Sequence, residues 1–286
     1  MRPVPGPGGR RGVGPVPGRG GRRGVGPVLR WGLGGVLLGV PAVIALAGPL
    51  LVGEPSPRGV SFSQGPFLGT DFVGRDVGEQ VLLGGRTVVT VALTATALAY
   101  LVGTPLGVLA AMTRRRWLDE LLMRPLDLLL AIPSLLLLIL LAATVPPGPL
   151  TLIAIVAVIS APEVARISRA AALEIAARPA MEAMRLQGET WWRRAIGYVG
   201  RSMLRTLLAD LGVRVVGALY LVATAGFLGV GVPPDASDWA VMVDRNRTGM
   251  FLQPWAVVVP ALLVVMLAVG LNLLFDGAQR RRGEAR

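Results

Sequence analysis

The sequence predicts an all-α polytopic membrane protein with six transmembrane helices. Hydrophobic residues make up 53% of the 286 positions, and the mean hydropathy is +0.62. Several uncharged runs are long enough to cross a bilayer of about 30 Å as helices. All 29 basic residues are arginine. Of these, 23 lie in four segments, namely the two ends of the chain and two stretches between the apolar runs. The positive-inside rule places those segments, and both termini, in the cytoplasm.

The chain begins with a low-complexity arm at 1–30, rich in Gly, Pro, Val and Arg, in which GGRRGVGPV occurs at 8–16 and again at 20–28. Such a composition cannot bury a core, so we expect a disordered cytoplasmic arm. Residues 31–52 follow without a charge. At about 1.5 Å per residue they are long enough to form the first transmembrane helix.

An extracytoplasmic segment at 53–82 holds the sequence GTDFVGRD at 69–76. Glycine and aspartate at this spacing predict a turn followed by a helix cap, and an arginine there can clamp one of the aspartates. The candidate residues are Gly69, Thr70, Asp71, Gly74, Arg75 and Asp76. The second span, predicted at 87–113, returns to three consecutive arginines.

A short cytoplasmic segment at 117–127 precedes 35 uncharged residues at 128–162, too many for one crossing. The run Pro-Pro-Gly-Pro at 146–149 divides them into a third span going out and a fourth coming back. The fourth span is predicted to end at Glu163 and Arg166, which would share one helix face.

The fifth span is predicted at about 207–230, and the sixth at 248–275, followed by a cytoplasmic tail at 277–286. Asp210 and Arg214 lie one turn apart near the inner end of the fifth span. We expect the two charges to neutralise each other there.

The cytoplasmic stretch 165–206 between the fourth and fifth spans has eight arginines and three acids. Apolar residues recur at helical spacing on both sides of Pro179, and Gly188 is a suitable helix stop. This pattern predicts a short basic helix-turn-helix at the inner membrane surface. A charged loop lying on anionic membrane lipid explains the same pattern equally well.

The composition excludes several chemistries. Without cysteine or histidine there is no disulfide, no cysteine–zinc site and no imidazole base, and we expect no catalytic residue, metal or cofactor. Without lysine the chain cannot form a Walker A phosphate loop. The net charge of +12 follows the predicted topology, so we expect no nucleic-acid partner.

Five sequence motifs in order resemble one family. They are GTDFVGRD at 69–76, LLGGRT at 82–87, WLDELLMRPLDLLLAIPSLLL at 117–137, Glu182-Ala183-Met184 with Gly188, and FLGVGVPP at 227–234. Together they resemble the permease subunit of ATP-binding-cassette (ABC) importers, in the dipeptide/oligopeptide/nickel branch. The resemblance covers about 31–276 and implies a type I ABC importer permease fold, with the transmembrane permease domain at 83–276.

The resemblance also implies a role for each part. Glu182, Ala183, Met184 and Gly188 would form the coupling loop, in a helix at about 174–188 that moves with an ATPase. The partners would be a second homologous permease, two cytoplasmic ATPase subunits and an extracytoplasmic solute-binding protein, with peptide as cargo. Nickel or another small solute is the alternative within the family. The loop departs from the family at Met184, usually alanine, at Pro179-Ala180, usually Asp-Tyr, and at Gly200-Arg201, usually Leu-Pro.

Two other classes remain open from the residues alone. A secondary transporter could use Glu163, Asp127 or Arg214 as ion sites, although no inverted repeat is visible and these charges are predicted near span ends. A membrane anchor could use the basic arm to bind nucleic acid or lipid without transport.

Overall fold

The computed structural model describes residues 27–54, 56–65, 68–113, 115–233 and 236–284. Within these ranges the regular structure is helical, apart from one isolated β-bridge between Thr70 and Asp76, which confirms the all-α prediction. The helices are α1 (Pro27–Leu51), α2 (Val77–Met112), α3 (Arg116–Ala131), α4 (Ser134–Thr144), α5 (Pro149–Ala176), α6 (Pro179–Leu186), α7 (Arg201–Phe227), α8 (Trp239–Asn246) and α9 (Trp255–Glu284). A π-helix (Arg193–Gly200) precedes α7, and a 3₁₀ turn (Arg247–Gly249) follows α8. Most of the predicted N-terminal arm lies outside the described residues.

Five helical segments of the described chain are long and apolar enough to span a membrane, and a sixth span requires α3 and α4 together. The third span predicted in the first part of 128–162 is not one continuous helix, because α3 and α4 meet at an angle of 97°. Pro133 has no N–H to donate and Ile132 is extended, so the helix is interrupted there. Alone, the 11 residues of α4 extend only about 16 Å.

Helix boundaries differ from the ends of the uncharged runs. The second helix begins at Val77, ten residues before the predicted start at Thr87, so the boundary proposed between 82 and 83 falls inside α2. The last helix begins at Trp255 instead of residue 248 and continues through the predicted tail to Glu284. An uncharged run marks only the apolar part of a span. The helix itself extends beyond that part until its terminal backbone groups are capped.

The helix-turn-helix predicted at 165–206 is continuous with the spans on both sides, although a helix, the turn at Gly188 and a second helix do follow one another there. The helix α5 does not end at Glu163 but continues to Ala176, and the residues after Gly188 lead through the π-helix into α7. Only α6 is a separate helix. The two charges that suggested an end to the fourth span are paired with other helices, since Arg166 binds Asp127 of α3 (2.6 Å) and Glu163 binds Arg214 of α7. Arg169 also binds Asp119 of α3 through two hydrogen bonds (2.8 and 2.6 Å).

The core lies between α2, α5 and α7, and the most extensive helix contact joins α2 to α5. Small residues permit this close approach, because Gly103 and Gly107 lie directly against the backbone of α5 at Ala161 and Ala165. Helices α1 and α9 pack against each other and against this group. The C-terminal ends of α2 and α5 and the start of α7 together support α6.

Candidate coupling helix and motif sites

Met181 is the one fully buried side chain of α6. It lies among apolar residues where α2 ends, α5 ends and α7 begins. Burial of a methionine of this size stabilises the attachment by roughly 2 kcal/mol. Its neighbours in this cluster are Val108, Ala111, Met112, Ala171, Ala172, Ile175, Tyr198, Val199, Met203 and Leu207.

Both ends of α6 are defined by local chemistry. Pro179 is the first residue, where its missing N–H would be unpaired in any case. At the other end Gly188 has a φ of 75°, and its N–H donates to Arg185 (3.1 Å) while that of Glu189 donates to Met184 (3.0 Å). These two bonds define a Schellman motif, so the predicted helix stop at Gly188 is confirmed. The predicted bounds of 174–188 are too wide, since residues 174–176 belong to α5.

The remaining predicted coupling residues lie on the surface of α6. Glu182 and Ala183 are exposed, and Met184 is half-buried. Glu182 is in the first turn of α6, but its only described ion pair is a long one to Arg185 (3.9 Å). Neither the buried Met181 nor the exposed Leu186 is among the residues predicted from the sequence. Leu186 lies three residues after Ala183 and therefore on the same side of the helix.

The motif GTDFVGRD at 69–76 has the opposite character, since its polar groups are satisfied within the chain. Asp71 is 1% exposed, and its Oδ1 accepts from the N–H groups of Val73 (2.9 Å) and Arg75 (2.8 Å). Its Oδ2 accepts from Nε of Arg75 (2.8 Å). Asp76 is the N-cap of α2 and accepts from the N–H of Glu79 (3.0 Å). The predicted turn, cap and arginine clamp are confirmed.

The motif is fixed to more distant parts of the chain as well. Thr70 donates its hydroxyl to the carbonyl of Val60 (2.6 Å), and the side-chain oxygen of Asn246 accepts from the N–H of Phe72 (2.9 Å). Gly69 lies against Gln253, and Gly74, with a φ of 80°, lies against the backbone of Gly59. The contacts with Asn246 and Gln253 join the motif to the segment between α7 and α9.

That segment contains α8, which was predicted only as an extracytoplasmic loop. Trp239 is fully buried, donates from Nε1 to the carbonyl of Val81 (2.8 Å) and fills the space above Gly84 and Gly85. The two glycines of the motif at 82–87 are therefore required for close packing. An Asp-Trp pair before an apolar stretch is an N-cap signal that could have indicated this helix.

Asp238 caps α8 in a buried position. Its Oδ1 accepts from the N–H groups of Ala240 (2.9 Å) and Val241 (3.3 Å), while its buried Oδ2 has no hydrogen-bond partner. Burial raises the pKa of Asp238 to about 6, although the two backbone hydrogen bonds oppose the increase.

Inside the membrane-spanning helices a second group of charges joins α2, α5 and α7. Asp210 Oδ2 accepts from Nε of Arg214 (2.9 Å) and from the hydroxyl of Tyr100 (2.8 Å), so the predicted neutralisation is confirmed. Arg214 also pairs with Glu163, and Arg166 pairs with Asp127 (2.6 Å). Glu163 and Arg166, which were predicted to share one helix face, therefore pair with two different helices, α7 and α3. Glu163 also lies halfway along α5 and not at the end of a span.

The fold and these sites define a class of protein, a multi-pass membrane protein with one short surface helix packed on the ends of three long helices. The family model described as "Binding-protein-dependent transport system inner membrane component" matches residues 103–283. The chain belongs to this family. It is therefore a permease subunit of an ABC importer, a transport subunit that works with other ABC components.

Individual relatives agree with the family assignment. The chain is 33% identical to a putative peptide transport system permease protein of Brucella suis over 86% of its own length and 84% of that protein. It is 31% identical to the probable D,D-dipeptide transport system permease protein DdpC of Escherichia coli, over 74% and 70%. A chain of the MetNI methionine ABC transporter, solved in inward facing conformations, matches with a TM-score of 0.50 and 18% identity, over 71% of this chain and 95% of that one. That similarity concerns the fold alone.

Proposed function

We propose that this chain is one of two homologous permeases that form the path for peptides in an ATP-driven importer of the cytoplasmic membrane. Its curated relatives in Brucella suis and Escherichia coli are named as peptide and dipeptide permeases, which supports peptide as the cargo. Two separate cytoplasmic subunits hydrolyse ATP, and an extracytoplasmic solute-binding protein delivers the cargo.

The observation that carries the ATP-driven mechanism is the exposed surface of α6. A helix with a single fully buried side chain, Met181, and with Ala183 and Leu186 exposed has the properties of a contact made with another subunit. When the ATPase subunits close on ATP, α6 moves with them. Because α6 contacts the ends of α2, α5 and α7, its displacement changes the relative positions of these helices. ATP drives transport to the extent that it binds one of the two arrangements better.

The principal test is uptake by the reconstituted transporter. Proteoliposomes containing this chain, the second permease and the ATPase subunits should accumulate radiolabelled dialanine only when the binding protein and ATP are both present. The purified chain alone should hydrolyse no ATP. Uptake by this chain alone, without ATP, would instead establish a secondary transporter.

The proposed orientation has both termini in the cytoplasm, supported by the arginine distribution. Because the chain has no cysteine, single substitutions give a clean labelling test. Val60→Cys and Pro147→Cys, both at exposed positions, should react with an impermeant thiol reagent from outside intact cells. Arg116→Cys should react only after the membrane is opened. The reverse pattern would contradict the orientation.

A further inference from the structure

The charged group inside the membrane borders a cavity that the coupling mechanism does not use. The cavity has a volume of about 190 Å³ and lies between the start of α4, the middle of α5 and the middle of α7. Its polar lining residues are Ser134, Ser160, Glu163, Arg214 and Tyr220. Polar side chains facing lipid would be costly, so this face belongs to a water-filled path or to a partner-covered interior.

The depth of the cavity is consistent with a transport path. Glu163 is at the midpoint of α5, with about 20 Å of helix on either side. Arg214 is about 20 Å of helix from the end of α7 at Phe227. Ionisable residues at such positions are rare in membrane proteins and mark substrate or ion pathways.

The charges of this group do not balance. Arg214 is already neutralised by Asp210, whose side chain is 8% exposed and which also accepts from the hydroxyl of Tyr100. Glu163 shares the same guanidinium, yet its side chain is 50% exposed and borders the cavity. Two carboxylates and one guanidinium leave a formal charge of −1, and the surplus lies on the accessible carboxylate.

We infer that this cavity is a cargo subsite in which Glu163 accepts the N-terminal ammonium group of a peptide, with the hydroxyls of Ser134 and Ser160 as neighbouring acceptors. The inference rests on the proposed function, since it names the part of the cargo that this chain recognises. An ammonium group supplies the missing positive charge and has three donors for these oxygens. The volume corresponds to about six water molecules, enough for one end of a peptide and not for a long one.

The test measures binding to the purified complex of both permeases and the ATPases, without the binding protein, whose own selectivity would mask that of the cavity. The probes are dialanine and N-acetyl-dialanine, which lacks the ammonium group. A ligand of the native state raises the thermal stability in proportion to the logarithm of its concentration, which gives a dissociation constant. Wild type should bind dialanine at least about tenfold more tightly than the acetylated probe.

Glu163→Gln should abolish this preference, and Glu163→Asp should keep part of it. Glu120→Gln, which removes an exposed carboxylate of α3 away from the cavity, is the matched control and should behave as wild type. A purely structural role for Glu163 would lower the stability of the complex without changing the ratio of the two dissociation constants. Equal binding of both probes by wild type, no binding of either, or an unchanged preference in Glu163→Gln would overturn the subsite.

Dialanine uptake by the complete transporter separates this inference from the proposed function. If wild type imports dialanine and Glu163→Gln retains the ammonium preference, peptide import stands and the subsite is wrong. If the complex binds dialanine through Glu163 but imports none, the subsite stands and the proposed import function is wrong.

Discussion

The motif at 69–76 and the proposed coupling segment at 179–188 are both short and contain glycine, yet they are built in opposite ways. The proposed orientation places the first outside the cell (the outer motif) and the second inside (the inner segment). In the outer motif the carboxylate of Asp71 is buried and hydrogen-bonded within the chain, and Gly74 is enclosed by backbone. In the inner segment only Met181 is buried, and nothing surrounds Gly188.

The difference separates a structural motif from a contact surface. Polar groups that are satisfied internally have little left to offer a partner, so the outer motif holds the segment before α2 against α8 and α9. A side chain that is exposed and unsupported is available for another subunit. The two regions should therefore respond differently to mutation. Changes in the outer motif should lower folding stability, whereas changes in the inner segment should lower transport first.

The largest expected loss of stability is for Gly74→Val. A β-carbon would overlap the carbonyl oxygen of Gly59, and a φ of 80° is unfavourable for a β-branched residue. The two effects together should cost about 4 kcal/mol or more, enough to reduce the yield of folded protein sharply. The yield and thermal stability in detergent measure this. Gly53→Val, at a glycine with open space and no positive φ, is the matched control and should be tolerated.

The next largest effect is expected for Asp71→Ala. The substitution leaves two backbone N–H groups and the Arg75 guanidinium without this partner in a buried site, and should cost about 3 kcal/mol. Asp76→Ala removes only the helix cap and should cost about 1 kcal/mol. Thermal unfolding of both variants checks the ranking. Equal stability of Asp71→Ala and wild type would mean that the outer motif is not a structural clamp.

Asp238 predicts a pH dependence of stability on the outer side. Because its pKa is raised from 3.8 to about 6 in the folded protein, the protonated form stabilises the fold fully below pH 3.8. That contribution is lost as the pH rises through about 6. At neutral pH the loss amounts to about 3 kcal/mol. Asp238→Asn should therefore become more stable relative to wild type as the pH rises from 4 to 7. A stability difference that stays constant over this range would contradict the prediction.

The smallest loss of stability is expected for the coupling segment. Gly188→Val meets no neighbouring atom and suffers only from its φ of 75°, a cost of about 1–2 kcal/mol. Ala183→Arg adds a long charged side chain at an exposed position and should leave stability unchanged within about 0.5 kcal/mol. Both variants should insert into the membrane normally but fail to retain the ATPase subunits and to import dialanine.

Two controls distinguish coupling from lipid contact in this segment. Gly197→Ala, at an open helical glycine, should be harmless to both stability and uptake. Arg185→Ala should have a modest effect, because it removes charge without changing the shape of α6. If the segment only lay on anionic lipid, Arg185→Ala would impair function more than the changes at Ala183 and Gly188.

The sequence alone determined the parts that follow from local composition. Uncharged runs near 31–52, 87–113, 149–162 and 248–275, and an apolar run near 207–230 that carries only Asp210 and Arg214, indicated spans because a backbone in lipid must satisfy its hydrogen bonds within a helix. Local rules also identified the cap at Asp76, the clamp from Arg75 and the helix stop at Gly188, since their partners lie within five residues.

Tertiary structure decided the rest, because it depends on partners that are distant in the sequence. Trp239 packs on Gly85, and Met181 fits between the ends of three helices. Glu163 selects Arg214 on α7 although Arg166 is closer along the chain. Composition and periodicity specify which face of a helix is apolar or charged but not which other helix meets that face. The packing of α2, α5 and α7 made that choice, and with it placed a carboxylate beside a cavity between the middle parts of α5 and α7.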